Sequence, residues 1–275
     1  MKLAISHIAW PLEKEHFYLD QVKLWGCSGI ELAPSRIWDE PIDTNKEDRK
    51  RYLRLISSKN LDIPAIQSLL FTRPDLILFK DKKTDDNIVE YLKSLCRVGA
   101  DLGAKVLVFG SPRNRNKGHL ELDMAFADAA NIFSKVSRFA ENLNVTICIE
   151  PLSPTVTDFI NTLEEGYKLV NMVGRPGFGL HIDAAALSNE EVTMRHYQIF
   201  ASKAHHFHIS EPGLVEINGT TKVKHNLYAR ILKEVGYQNY VSIEMRMAAG
   251  YHETIKRSIS FSKNIYSHSL ENVLN

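Results

Sequence analysis

Eight short, mostly apolar runs, each followed by a stretch with helical periodicity, constrain the fold of this chain more than any other feature. The runs lie at 3–9, 29–34, 62–70, 104–110, 145–150, 178–183, 204–210 and 240–244. Their length and β-branched content favour strands. The stretches between and after them, at 13–25, 47–58, 85–102, 120–142, 162–173, within 190–201, 227–235 and 251–266, repeat apolar residues at helical spacing. In the first of these, Phe17, Leu19, Val22 and Leu24 recur at near-helical spacing and Gly26 stands at the end as a stop. Strict alternation of strand and helix implies a parallel sheet. Eight such units predict an α/β fold of the (β/α)8 TIM-barrel type. A doubly wound open sheet is the competitor, but no G-x-G-x-x-G follows any of the runs. With no low-complexity linker, residues 1–275 read as a single barrel domain, with 267–275 as a loose tail.

The 34 Lys and Arg nearly cancel the 33 Asp and Glu, so no global field argues for nucleic acid or a membrane surface. No apolar run reaches membrane-spanning length, and the first residues lack the apolar segment of a signal peptide. Cys27, Cys96 and Cys148 are scattered, with no C-x-x-C, which suits reduced thiols and a cytoplasmic location.

Barrel enzymes build their sites where strands end. The fifth run ends in Glu150, held at the strand tip because Pro151 has no N–H to continue the ladder. The sixth ends in Asp183, the seventh carries His208 and the eighth ends in Glu244. Each residue alone has an ordinary structural explanation, a helix cap or an ion-pair partner. On four successive strands, three carboxylates and an imidazole would repel strongly unless a cation sat among them. That donor set suits one divalent metal ion, Mn2+ first, with Mg2+, Co2+ or Zn2+ as alternatives. His206 shares the strand face of His208 by the period of two, whereas His205 points the other way.

At these positions the chain resembles the xylose isomerase-like TIM-barrel superfamily, the sugar phosphate isomerases and epimerases. The marks are Ile149-Glu150-Pro151-Leu152, His181-Ile182-Asp183, His206-Phe207-His208 and Ser242-Ile243-Glu244, and the resemblance runs along essentially the whole chain. It implies that Glu150, Asp183, His208 and Glu244 are the metal ligands, as in the ketose 3-epimerases, and that Glu150 and Glu244 also move the proton. Two positions depart from the epimerase pattern. Ala186 stands where a substrate-binding His is expected, and Leu214 where an Arg is expected, while Glu211 matches a common acid of the group. The resemblance therefore implies the metal chemistry with a different substrate. The zinc-dependent apurinic endonuclease branch needs further His ligands, and Gln67, Gly110-Ser111 and Ala186 stand at those places.

The expected activity is that of an isomerase acting on a sugar or sugar phosphate, by epimerisation or aldose–ketose isomerisation through an enediolate. Gln67, Arg113, Arg115, His181, His206 and Glu211 are the expected substrate contacts. Arg113 and Arg115 lie in a basic loop suited to a phosphate or carboxylate, or simply to solvent. His7, Glu31 and Arg36 are further neighbours of the strand ends, and Trp10 and Trp38 are either sugar-facing walls or core. Expected partners are small molecules, without nucleic acid or membrane; a homo-oligomer is left open. The alternatives are a metal-dependent hydrolase or phosphodiesterase of the apurinic-endonuclease type, a keto-polyol dehydratase and a non-catalytic sugar-binding protein.

Overall fold

The structure is a computed structural model and describes residues 1–188 and 193–267. Its eight strands are joined in parallel in the order β2-β1-β8-β7-β6-β5-β4-β3, so each strand neighbours its successor except β2 and β3, which end the order, and the first lies beside the last. Helices alternate with them. This is the (β/α)8 TIM-barrel fold.

The chain groups into two compact units. The first holds residues 1–32, 54–64 and 182 onward. It contains β1 (Lys2–Ser6), α1 (Glu15–Trp25), β2 (Gly29–Glu31), α8 (Met194–Ala201), β7 (Ala204–Ser210), α9 (His225–Glu234), β8 (Tyr240–Glu244) and α10 (Tyr251–Ser262), with the short α7 (Ala184–Leu187). The second holds 33–53 and 65–181. It contains α2 (Pro34–Ile37), β3 (Ala65–Ile66), α4 (Lys82–Asp101), β4 (Val106–Phe109), α5 (Leu122–Glu141), β5 (Thr146–Ile149) and α6 (Leu163–Val173). Both α3 (Lys46–Ser58) and β6 (Phe178–Asp183) have residues in each unit.

In the first unit the strand registers pair Ser6 with Glu31, Ala4 with Ser242, His208 with Ser242 and Ser210 with Glu244. These residues therefore share one face of the sheet. The intervening Ile5, Ile30, Phe207, Ile209, Val241 and Ile243 are buried on the other. One face is thus apolar and the other carries the polar side chains. In the second unit Ala65, Val106, Val108 and Cys148 form a core cluster. Phe109 and Phe178, on the opposite face, pack against Phe133 of α5 at ring distances of 5.0 and 4.8 Å.

The third strand is much shorter than the 62–70 run, with two residues. Pro64 offers no ladder N–H, and Ser68 has a positive φ of 57°. The helix expected within 190–201 is seen as α8 from Met194; residues 189–192 lie outside the described residues. Ser267 ends a π-helical turn, Lys263–Ser267, and 268–275, most of the expected tail, also lie outside them. No helix among the described residues is long and apolar enough to cross a membrane. The three cysteines are buried and free. Burial pushes the thiols of Cys27 and Cys96 up to about 12, which makes them poor nucleophiles.

Candidate functional site

Three of the four expected ligands stand together in the first unit. Asp183, His208 and Glu244 each offer a ligand atom within 4.8 Å of the others, and His208 Nδ1 is 3.2 Å from Glu244 Oε2. Asp183 and His208 are buried, and Glu244 is half-buried. Burial first, and then the Glu244 charge, raise the Asp183 carboxyl above its ordinary value. Two carboxylates held this close in a buried place favour a proton or a cation between them.

Asp183 also has a local structural task. Its Oδ1 accepts the Ala186 N–H at 2.8 Å and so caps α7. Its Oδ2 accepts the Ser210 hydroxyl, and Ser210 Oγ accepts the Ala185 N–H at 3.0 Å. The carboxylate is therefore held in one orientation by two elements. A carboxylate oxygen has lone pairs beyond those hydrogen bonds, so the cap and a metal ligand are compatible roles.

His208 is gripped from its other side. Its Nε2 lies 2.8 Å from Glu31 Oε1, while His206 Nε2 lies 2.9 Å from Glu31 Oε2. Both rings reach one carboxylate because residues 206 and 208 share a strand face. Burial alone would raise the Glu31 carboxyl, but the neighbouring imidazoles of His208 and His206 outweigh it and hold Glu31 well below the usual range. Burial alone would lower His208, and the charges of Glu31 and Glu244 instead take it well above its ordinary value. In the sequence Glu31 stands only as one neighbour of the strand ends. The available signal is a lone carboxylate, Glu31, inside the otherwise apolar run at 29–34.

The fourth expected ligand, Glu150, is in the second unit, one residue past β5. Its N–H still bonds Phe109 O at 3.2 Å, which extends the ladder by one step. The β5–β6 register places Glu150 and His181 on the same face, with His181 Nε2 3.4 Å from Glu150 Oε1. Gly110 makes room for this carboxylate: a β-carbon there would collide with Glu150 Oε2.

The basic loop after β4, expected to hold an anion or to face solvent, is tied into the fold at several points. Arg115 is fully buried; its guanidinium donates to Glu150 O at 2.7 Å and Ile160 O at 3.3 Å. Burial pushes that guanidinium down to about 10, against the opposing charges of Glu150 and Glu165, so it stays cationic at neutral pH. Asn114 donates to Arg73 O and Leu76 O, both at 2.8 Å. Asp158 accepts the N–H groups of Lys117 at 2.6 Å and Gly118 at 3.0 Å. Arg113 sits over the Phe71 ring at 5.5 Å. The loop is stitched to its neighbours.

Two other expected substrate contacts are engaged within the protein. His206 is held by Glu31, as above. Glu211 is buried with His225 Nε2 at 3.0 Å from one oxygen and the Thr221 hydroxyl on the other. Gln67 is buried just beyond β3. Trp10 is core, stacked on Tyr18 at 5.4 Å with its indole N–H on Glu15 at 2.6 Å. Trp38 packs edge-on against Tyr52.

Residues 19–265 match the xylose isomerase-like TIM barrel family. The chain belongs to that family. An inosose isomerase from Bacillus velezensis is 25% identical over 235 residues, which cover 80% of this chain and 79% of the relative. Among solved structures, a D-psicose 3-epimerase crystallised in the presence of D-fructose superposes with a TM-score of 0.80 at 16% identity, covering 98% of this chain and 100% of the other. The IOLI protein with a binding zinc atom gives 0.73 at 20%, with coverage of 97% and 98%. At these identities the structural likenesses carry the fold.

Proposed function

We propose that this chain is a divalent-metal-dependent sugar isomerase or epimerase that works by proton transfer between two carboxylates. The observation that carries this reading is the convergence of Asp183, His208 and Glu244 from three successive strands. Glu150, ending the next strand of the same order, is proposed as the fourth ligand, with the two units acting as one barrel domain. The names of the relatives, inosose isomerase and psicose 3-epimerase, agree with this chemistry.

The donor set of three carboxylates and one imidazole fits a hard divalent ion, with Mn2+ as the first choice. Such an ion would stabilise negative charge on adjacent carbonyl and hydroxyl oxygens of a sugar and acidify the C–H bond between them. Glu150 and Glu244 then do the proton work: one carboxylate removes the proton and the other returns one. Return to the same carbon inverts it, and return to the neighbouring carbon moves the carbonyl. Gly110 and the Arg115 clamp on the Glu150 carbonyl keep that base in place.

The substrate we favour is an unphosphorylated keto sugar or keto-polyol. Arg115 is committed to two main-chain carbonyls and Lys117 Nζ to those of Gly118 and Leu120, so little of the basic loop is left to read a phosphate. Of the expected substrate contacts, Gln67, Arg113 and His181 remain in the proposal. A polynuclear hydrolase is the reading from another class, and metal stoichiometry separates the two. The variants Glu150→Gln and Glu244→Gln are expected to lose turnover by at least about 10²-fold on a panel of ketoses and inososes, with unchanged circular dichroism. Wild-type activity in either variant would remove that residue from the mechanism.

A further inference from the structure

Glu31 ends β2 in the first unit, is completely buried, and has no part in the proton transfer proposed above. Its two oxygens each face an imidazole nitrogen, at 2.8 Å from His208 Nε2 and 2.9 Å from His206 Nε2. An ionised carboxylate is acceptor only, so the nitrogen facing it carries the proton. The ring form is assigned from this acceptor. In a neutral His208 that leaves the lone pair on Nδ1, the nitrogen 3.2 Å from Glu244 Oε2.

We propose that Glu31 is a positioning residue: it holds His208 in the Nε2–H form and aims Nδ1 at the place where Asp183 and Glu244 converge. The assignment rests on the metal reading of that place. His206 has a supporting part. By bonding the second oxygen it stops the carboxylate from rotating and gives the buried anion a second donor. The two rings stand nearly perpendicular, at 81° with centroids 5.3 Å apart, so one carboxylate meets both N–H groups without their rings colliding.

Glu31, His206 and His208 themselves offer ligand atoms within 4.8 Å of one another. A second ion there would turn Glu31 into a ligand and make His208 a bridge. The observed separations are hydrogen-bond lengths, and a cation between these groups would displace both shared protons. One carboxylate and two imidazole N–H groups satisfy one another without it.

The test is calorimetric titration of the metal-free full chain with Zn2+, for wild type and Glu31→Gln, together with nitrogen NMR of 15N-histidine-labelled, Zn2+-loaded wild type. Wild type should bind one ion, and Glu31→Gln should bind it about 10–100-fold more weakly. The NMR should show His208 protonated at Nε2. If wild type binds one ion and Glu31→Gln binds it equally well, the role of Glu31 falls while the metal reading stands. If wild type binds none, the metal reading falls and takes this assignment with it. Two ions in wild type, one of them lost in Glu31→Gln, would make Glu31 a ligand and overturn the positioning role. Should Glu31→Gln fail to fold, the wild-type spectrum decides: Nε2–H on His208 supports the role, and a metal-bound Nε2 overturns it.

Discussion

Gly110 is the residue where a single methyl group decides most. A β-carbon there would occupy the space of Glu150 Oε2, and both residues sit at strand ends that backbone hydrogen bonds hold in place. Gly110→Ala should therefore fold but turn the Glu150 carboxylate aside, lowering kcat by about 10²-fold, the scale of a misplacement near 1 Å. Steady-state kinetics check this, and an unaltered kcat would mean that the Glu150 carboxylate need not lie where it does. Arg115 acts on the same residue through its carbonyl. Arg115→Met leaves two buried carbonyls without their donor and removes a buried positive charge beside Glu150. It should cost about 3–5 kcal/mol in denaturant unfolding. That Glu150, Asp183, His208 and Glu244 stand at or near strand ends was legible from residue type and strand position together. The fate of Arg113 and Arg115 was not, because a run of charges says nothing about which carbonyls lie within reach once the chain folds.

At the scale of elements, the runs and their periodicities carried most of the information. All eight strands and the main helices lie where alternation places them, because burial on both faces requires near-continuous apolar strands. The departures have local causes. Pro64 and Ser68 trim the third strand to Ala65–Ile66. Asp183 caps α7, a start that apolar periodicity does not signal. Helix α6 shows how such a boundary is built. Thr162 Oγ1 accepts the Glu165 N–H at 3.1 Å, while Glu165 Oε2 reaches back to the Asn161 N–H at 2.6 Å. This is a near variant of the capping box. Thr162→Ala should lower the unfolding free energy by about 1 kcal/mol without changing kcat. A larger loss in kcat than in stability would show that the cap also positions the segment after Glu150.

For the whole molecule, the order of strands was legible and the long-range pairings were not. Glu31 and His208 are 177 positions apart, and only the register of the sheet brings them together. What the (β/α)8 order delivers is a set of four consecutive strands that carry Glu150, Asp183, His208 and Glu244 at or near their ends, with the apolar residues of the same strands turned the other way. The central claim is that these four residues support metal-dependent removal of a proton from a keto sugar or keto-polyol. It is tested most directly by incubating a panel of inososes and ketoses in D2O with the chain and following deuterium at carbon by NMR. Wild type supplied with Mn2+ should place deuterium on one carbon next to the carbonyl, while chelator-treated wild type and Glu150→Gln should place none. Deuterium entering at the same rate after metal removal, or in Glu150→Gln, would contradict the account.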